Sequence, residues 1–136
     1  MANKIDVYEF DPQIYPVRLW VGVNPDFSDI ADKFYGLDDK LNRIDINEQS
    51  CFHDRFTIAR TSTVCDKKTG WIGVLVEIYK PKSCKIGNLS HEAAHCADFI
   101  CEYLGITHNG FDDGEAYAYL LQWIVNCCEK VKKGKV

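Results

Sequence analysis

The residues of this 136-residue chain best suited to chemistry lie together in Ser90-His91-Glu92-Ala93-Ala94-His95. Two histidines at i and i+4 on a helix project from one face, one turn apart, so both imidazoles can reach a single ion. Neutral imidazole binds zinc at about 2.0–2.1 Å. Glu92 stands roughly 100° around the helix from His91, beside such an ion rather than on it. A carboxylate there can take a proton from a zinc-bound water. The small Ala93 and Ala94 permit close packing against neighbouring elements. A catalytic zinc site takes three protein ligands and leaves a fourth position open. Glu115 is the expected third ligand: it comes twenty residues after His95, across a loop, in the first turn of the next helix.

Each of these residues has a plainer competing role. HEAAH alone also describes a solvated helix face, and what favours the metal is the company it keeps: a helix stop, a second helix and a spaced glutamate. Asp112-Asp113-Gly114-Glu115 also reads as a capping-box start, with Asp112 as cap and Glu115 three residues on. Asp112 and Asp113 are the substitute ligands if Glu115 serves as cap. Asp98, one turn beyond His95, is a candidate to orient a ligating histidine, since such histidines usually need a hydrogen-bonded partner. His53 is expected to be ordinary, His108 solvated in a polar loop, and Tyr117, Tyr119 and Trp123 core or groove residues by default.

Helices and strands must position these groups, and the patterning predicts them in order. Ile14–Val23 is rich in β-branched and aromatic residues and reads as a strand ending at Asn24-Pro25. Asn24 then caps a helix with Pro25 at its first position, with Ile30, Ala31 and Phe34 on its apolar face and Gly36 as its stop. From Leu37 to Asp54 the chain is polar, with a short strand at Arg43–Ile46. Phe56–Val64 and Trp71–Tyr79 form a hairpin across Cys65–Gly70. In the second of these strands Ile72, Val74, Val76 and Ile78 alternate with the rest, so that face should meet the core. Asn88 or Ser90 opens the HEAAH helix, which runs to Leu104 and stops at Gly105. After a polar loop, a last helix runs from about Asp113 to Lys130, with Ala116, Leu120, Trp123, Ile124 and Cys127 on one stripe. The expected fold class is α+β: a small antiparallel sheet packed against an active-site helix and a glutamate helix.

Composition sets the frame. A chain of this length is expected to be a single domain, residues 1–136, with the zinc-site core at 71–130. The net charge of −4 gives no electrostatic reason to expect nucleic acid, and Lys130–Lys135 reads as a solvated tail. The N-terminus turns polar at once and lacks an apolar signal stretch, and no run is long enough to span a bilayer, so a cytoplasmic location without membrane contact is expected. Seven cysteines include no CxxC pair, which leaves a zinc ribbon unsupported. Cys96, Cys101, Cys127 and Cys128 sit in helical, apolar surroundings where a reduced thiol packs as a small hydrophobe.

HEAAH followed, after nineteen intervening residues, by Glu115 resembles the gluzincins, the thermolysin-like clan of zinc peptidases, in their minimal form. SHEAAHCADFICEYLG and GEAYAYLLQWI also resemble small uncharacterised metallopeptidase-like proteins of phages and mobile elements. The likeness covers roughly Trp71–Lys130. It implies zinc held by His91, His95 and Glu115, with Glu92 as general base and a peptide or protein as substrate. It further implies that the strand before the active-site helix, Trp71–Tyr79, pairs with extended substrate, and that a downstream His or Tyr supports the oxyanion, the candidates being His108, Tyr117 and Tyr119. Larger members often carry an Asp four residues after the ligand glutamate; here that position is Tyr119. The implied activity is zinc-dependent peptide-bond hydrolysis. The alternative is a zinc-binding regulatory or interaction protein with little turnover, because a chain this short leaves little material for a deep cleft.

Overall fold

The structure, a computed structural model, describes residues 7–47 and 55–136, with only the backbone of Asp112. His53 and Cys51 lie outside the described residues. In chain order the elements are β1 (Val7–Phe10), β2 (Arg18–Val23), α1 (Phe27–Lys33), β3 (Phe34–Leu37), β4 (Arg43–Asp45), β5 (Ala59–Asp66), β6 (Ile72–Ile78), α2 (Ile86–Leu104), a 3-10 turn (Phe111–Asp113) and α3 (Glu115–Lys132).

The strands form one sheet in the order β1-β2-β6-β5-β3-β4. The class is α+β, as the patterning predicts. The sheet is mixed rather than wholly antiparallel, because β2 and β6 run parallel while every other pair is antiparallel. The parallel pair arises because α1, β3, β4 and β5 all intervene in the chain, a long crossover of the kind that parallel neighbours require.

β6 shows why the sheet has two packed faces. Val74, Val76 and Ile78 point to the helix side, where they meet Leu19 and Val21 of β2, Leu89, Ala93 and Ile100 of α2, and Ile124 of α3. Leu75 points the other way, into a smaller core with Trp20, Ile30, Phe34 and Val64 beneath α1. The expected apolar face of β6 is thus the helix-facing one, and its partner face is apolar too at the centre. Gly73 is required where β6 meets β2, because a Cβ there would lie 1.9 Å from the carbonyl oxygen of Arg18.

Several boundaries differ from the patterning for identifiable reasons. β1 carries no strong signal, being four residues long. It is joined to β2 by antiparallel pairing and by a hydrogen bond from Trp20 Nε1 to Glu9 Oε1 at 2.9 Å. β2 begins at Arg18, not Ile14, since Ile14–Val17 form turns instead. α1 is capped at Asp26, not Asn24, and ends at Lys33. Gly36 is not a helix stop but lies inside β3, where its missing side chain leaves room for Ile44 of β4. The hairpin between β5 and β6 is fixed by Asp66, whose carboxylate accepts hydrogen bonds from the N–H groups of Lys68 and Thr69 and from Lys33 Nζ at 2.8 Å. Burial alone would push the Asp66 carboxyl up; the bonds from Lys33, Thr69 and Lys68 outweigh it and hold the group below its ordinary value.

The helix layer follows from two apolar stripes. In α2, Leu89, Ala93, Cys96, Ala97, Ile100 and Cys101 are buried at helical spacing. The helix opens earlier than Asn88: Lys85 is the cap, and the Asn88 side chain accepts its N–H at 2.8 Å. Gly105 ends it in the left-handed conformation, φ 71°, with the N–H of Ile106 closing back on Cys101 O at 2.8 Å. α3 buries Leu120, Ile124, Cys127, Cys128 and Val131. The basic C-terminal run is not simply a solvated tail. α3 continues through Lys132, whose Nζ donates to Cys84 O at 2.7 Å and fastens the end of α3 to the loop before α2. No described helix is long and apolar enough to cross a membrane.

Candidate functional site

α2 carries the HEAAH residues on the boundary between its buried and exposed faces. His91 and His95 are both exposed, and their Nε2 atoms approach to 3.3 Å with the rings near perpendicular. Two nitrogens held tetrahedrally at zinc bond lengths lie about 3.3 Å apart, so the pair has the bite of a zinc chelate. The same separation suits a hydrogen bond in which one ring donates to the other.

Glu92 is the acidic residue of α2 that is buried. Its two oxygens have different surroundings. Oε1 accepts a hydrogen bond from Thr61 Oγ1 of β5 at 2.9 Å, and Thr61 Oγ1 also lies 3.3 Å from the Glu92 carbonyl oxygen. The Cys96 thiol in turn lies 4.0 Å from Thr61 Oγ1. Oε2 is 4.0 Å from His91 Nε2, leaving one carboxylate oxygen beside the histidine pair. A small open cavity of about 230 Å³ flanks this point, lined by Phe56–Ala59, Asn88, His91 and Glu92. Thr61 is the residue that sequence reasoning missed. It lies in Ala59-Arg60-Thr61-Ser62-Thr63, where no local signal distinguishes one hydroxyl from another.

Glu115 is the first residue of α3 and is exposed. Its helix is capped at Gly114 without a side-chain cap, so Glu115 is not the third residue of a capping box. Among the described residues, no three His, Cys, Asp or Glu side chains are grouped closely enough to hold a metal ion as they stand. Asp113 is engaged within the loop, accepting from Thr107 Oγ1 at 3.0 Å and from the Asn109 N–H at 3.4 Å.

Asp98 faces the loop rather than the two candidate ligands. His108 Nε2 lies 3.9 Å from Asp98 Oδ1, and the His108 ring stacks on Tyr117 at 4.3 Å. Burial raises the Tyr117 hydroxyl, and the Asp98 carboxylate adds to this by its charge and as hydrogen-bond acceptor. The grouping of Asp98, His108 and Tyr117 joins α2, the loop and α3 one turn beyond His95. Tyr119 is elsewhere: 68% exposed, it lines an apolar groove with Ile14, Tyr15 and Trp123.

β6 cannot take the role of substrate-pairing strand. It is bonded to β2 on one edge and to β5 on the other, so no edge remains for an added strand. Its neighbour β5, which carries Thr61, is the strand that lies under α2 beside Glu92.

No protein-family model, curated protein or solved structure matches the chain.

Proposed function

We propose that the chain is a zinc-dependent peptide hydrolase. The observation that carries this reading is the 3.3 Å approach of His91 Nε2 and His95 Nε2 with the free oxygen of Glu92 4.0 Å from one of them. His91 and His95 are the proposed ligands, with Glu115 as the third on its spacing and its exposed place at the head of α3. Bound zinc would supply Lewis acidity, polarising a peptide carbonyl and acidifying water toward neutral pH.

The chain's own groups divide the remaining work. Thr61 engages Glu92 Oε1 and so turns Oε2 toward the histidines. Glu92 Oε2 takes the proton of the attacking water and returns it to the leaving amine. His108 and Tyr117 are the proposed sources of oxyanion support, rather than Tyr119 in its separate groove. The two lie together one turn past His95 on the loop side of α2.

The second reading, a zinc-binding regulatory or interaction protein with little turnover, is favoured by one observation: the His91 side chain is 69% exposed, on an open surface rather than in a cleft. Elemental analysis of wild type and His95→Ala, followed by a peptide digest with Glu92→Gln as control, separates the two. About one zinc per wild-type chain, lost in His95→Ala, with cleavage abolished by Glu92→Gln while zinc stays, supports the hydrolase. Zinc retained with no cleavage by wild type supports the second reading. Wild type that takes up no zinc when supplied with it overturns both and leaves HEAAH as a helix surface.

A further inference from the structure

A larger cavity, of about 560 Å³, opens along the same side of α2 beyond the histidine pair. Phe99 and Tyr103 form one wall, their rings stacked at 5.8 Å and 6° apart in plane. Leu37 and Leu41, from β3 and the loop after it, form the opposite wall. The remaining polar groups are Thr63 of β5 and three carboxylates, Asp38, Asp39 and Glu102; among the described residues, no basic side chain lines the space. Its volume falls in the range of small-ligand sites.

The cavity is in line with the proposed reaction centre. His91, His95, Phe99 and Glu102 follow one another at i, i+4 and i+3 steps, which places them on a single helix stripe. Phe99 is about 6 Å and Glu102 about 10 Å further along the axis than His95. An extended peptide advances about 3.3 Å per residue, so a side chain two or three residues from the bond at the histidines reaches this space. On the strand side the alignment repeats, because Thr63 of β5 lies two residues after the Thr61 that holds Glu92.

The wall chemistry selects the occupant. Aromatic faces and leucines suit an aliphatic stem, and stacked rings attract a planar cation held over them. Asp38 contributes charge rather than a free acceptor fork: the Asn42 N–H, the Asn42 side chain and the Lys40 N–H all donate to it. Asp39 and Glu102 are exposed at the rim, one on each wall. With the chain at net −4, the long-range field has the same sign as the cavity.

Building on the hydrolase reading, we propose that this cavity is a specificity subsite for a basic side chain, arginine above all, two or three residues to one side of the bond cleaved. Apolar side chains find the walls but leave the carboxylates unmatched; acidic ones meet like charge.

The probes are acetyl-Ala-Ala-Arg-Ala-Ala-amide and its citrulline counterpart, which keeps the shape and removes the charge. Binding to the full-length, zinc-supplied protein is followed by chemical-shift changes at the Phe99 and Tyr103 rings. The arginine peptide should bind about fivefold tighter than the citrulline one, with Glu102→Gln and Asp39→Asn each reducing that ratio toward one. Both replacements are at exposed positions, so the fold is kept. Equal binding of the two peptides, a preference untouched by either substitution, or shifts confined to the Ile14–Tyr119 groove would overturn the subsite. A library digest separates this from the underlying reading. Cleavage indifferent to basic residues retains the hydrolase and removes the subsite, whereas arginine-selective binding without any cleavage retains the subsite and counts against hydrolysis.

Discussion

Glu92 is hydrogen-bonded at one carboxylate oxygen and faces His91 with the other. It is mostly buried, and a buried carboxylate is costly unless hydrogen-bonded. Thr61 meets that cost from a strand rather than from α2 itself, so the direction of the carboxylate depends on the seating of helix against sheet. Thr61→Val keeps the shape and removes the donor. The expected result is a loss of about 1–3 kcal/mol in stability, as a buried acceptor is left unsatisfied. On the proposed hydrolase reading, a fall of about tenfold in kcat with KM little changed should accompany it, since positioning rather than binding is lost. Thr61→Ser should restore both. Denaturant midpoints and steady-state kinetics on the three proteins check this, and an unchanged midpoint in Thr61→Val would show that the hydroxyl does not support Glu92. Nothing in the sequence around Thr61 announces this role, because the partner lies 31 residues away. The two histidines and Glu92, by contrast, are legible because helix geometry alone sets their mutual placement.

At the scale of elements, the seam between β2 and β6 leaves no room for a side chain at Gly73. Gly73→Ala would place a methyl 1.9 Å from Arg18 O and 2.9 Å from the Trp20 ring. Backbone cannot yield there as a flexible side chain would, so the strands must part or shift register. The expected cost is about 3 kcal/mol or more, beyond ordinary overpacking, read as a lowered denaturant midpoint; a midpoint within error of wild type would mean the seam is looser than the structure shows. The legibility of the elements follows the same physics. α2 and β6 are plain in the sequence because their apolar residues recur at one spacing and end at Gly105 and before Pro81. Gly36 misleads because glycine stops a helix or admits a close neighbour with equal ease, and only the approach of Ile44 decides between them. The end of α2 and the start of α3 are both readable, but their relative placement is a tertiary matter. The sequence therefore offers Glu115 as a donor by spacing alone; Glu115 lies exposed at the head of α3, and Asp113 is bonded inside its loop.

For the whole molecule, the thiols report on integrity. Six described cysteines are free and buried. Burial pushes Cys96 up to about 12 and Cys127 to about 11, and Cys128, Cys84 and Cys101 also upward. In the unfolded chain a thiol ionises near its ordinary value of 9.0. Below that pH both states are protonated and the full contribution is present. Above it the unfolded chain loses protons that the folded chain keeps, so stability falls as pH rises toward the folded values. The expected slope is up to about 1.4 kcal/mol per pH unit for each such thiol. Urea midpoints should be level from pH 7 to 8 and drop above 9, with Cys96→Ala reducing the drop despite its packing cost. A midpoint level to pH 10.5 would contradict this sign.

The parallel seating of β2 beside β6 also has a consequence for the order of synthesis. On the ribosome β2 emerges early, yet its neighbour β6 ends only at Ile78, and the helices that cover Leu19 and Val21 come later still. At about 5–20 residues/s, the interval between β2 and the last turn of α3 is on the order of seconds. During that time β2, buried in the finished fold, has four-residue β1 as its one sheet partner among the described residues made so far. The hydrogen bond from Lys132 Nζ to Cys84 O can form only once α3 has been made. The helix-facing core can therefore close only once α3 is available, and a nascent chain that stalls before α2 leaves Leu19 and Val21 without their helix partners.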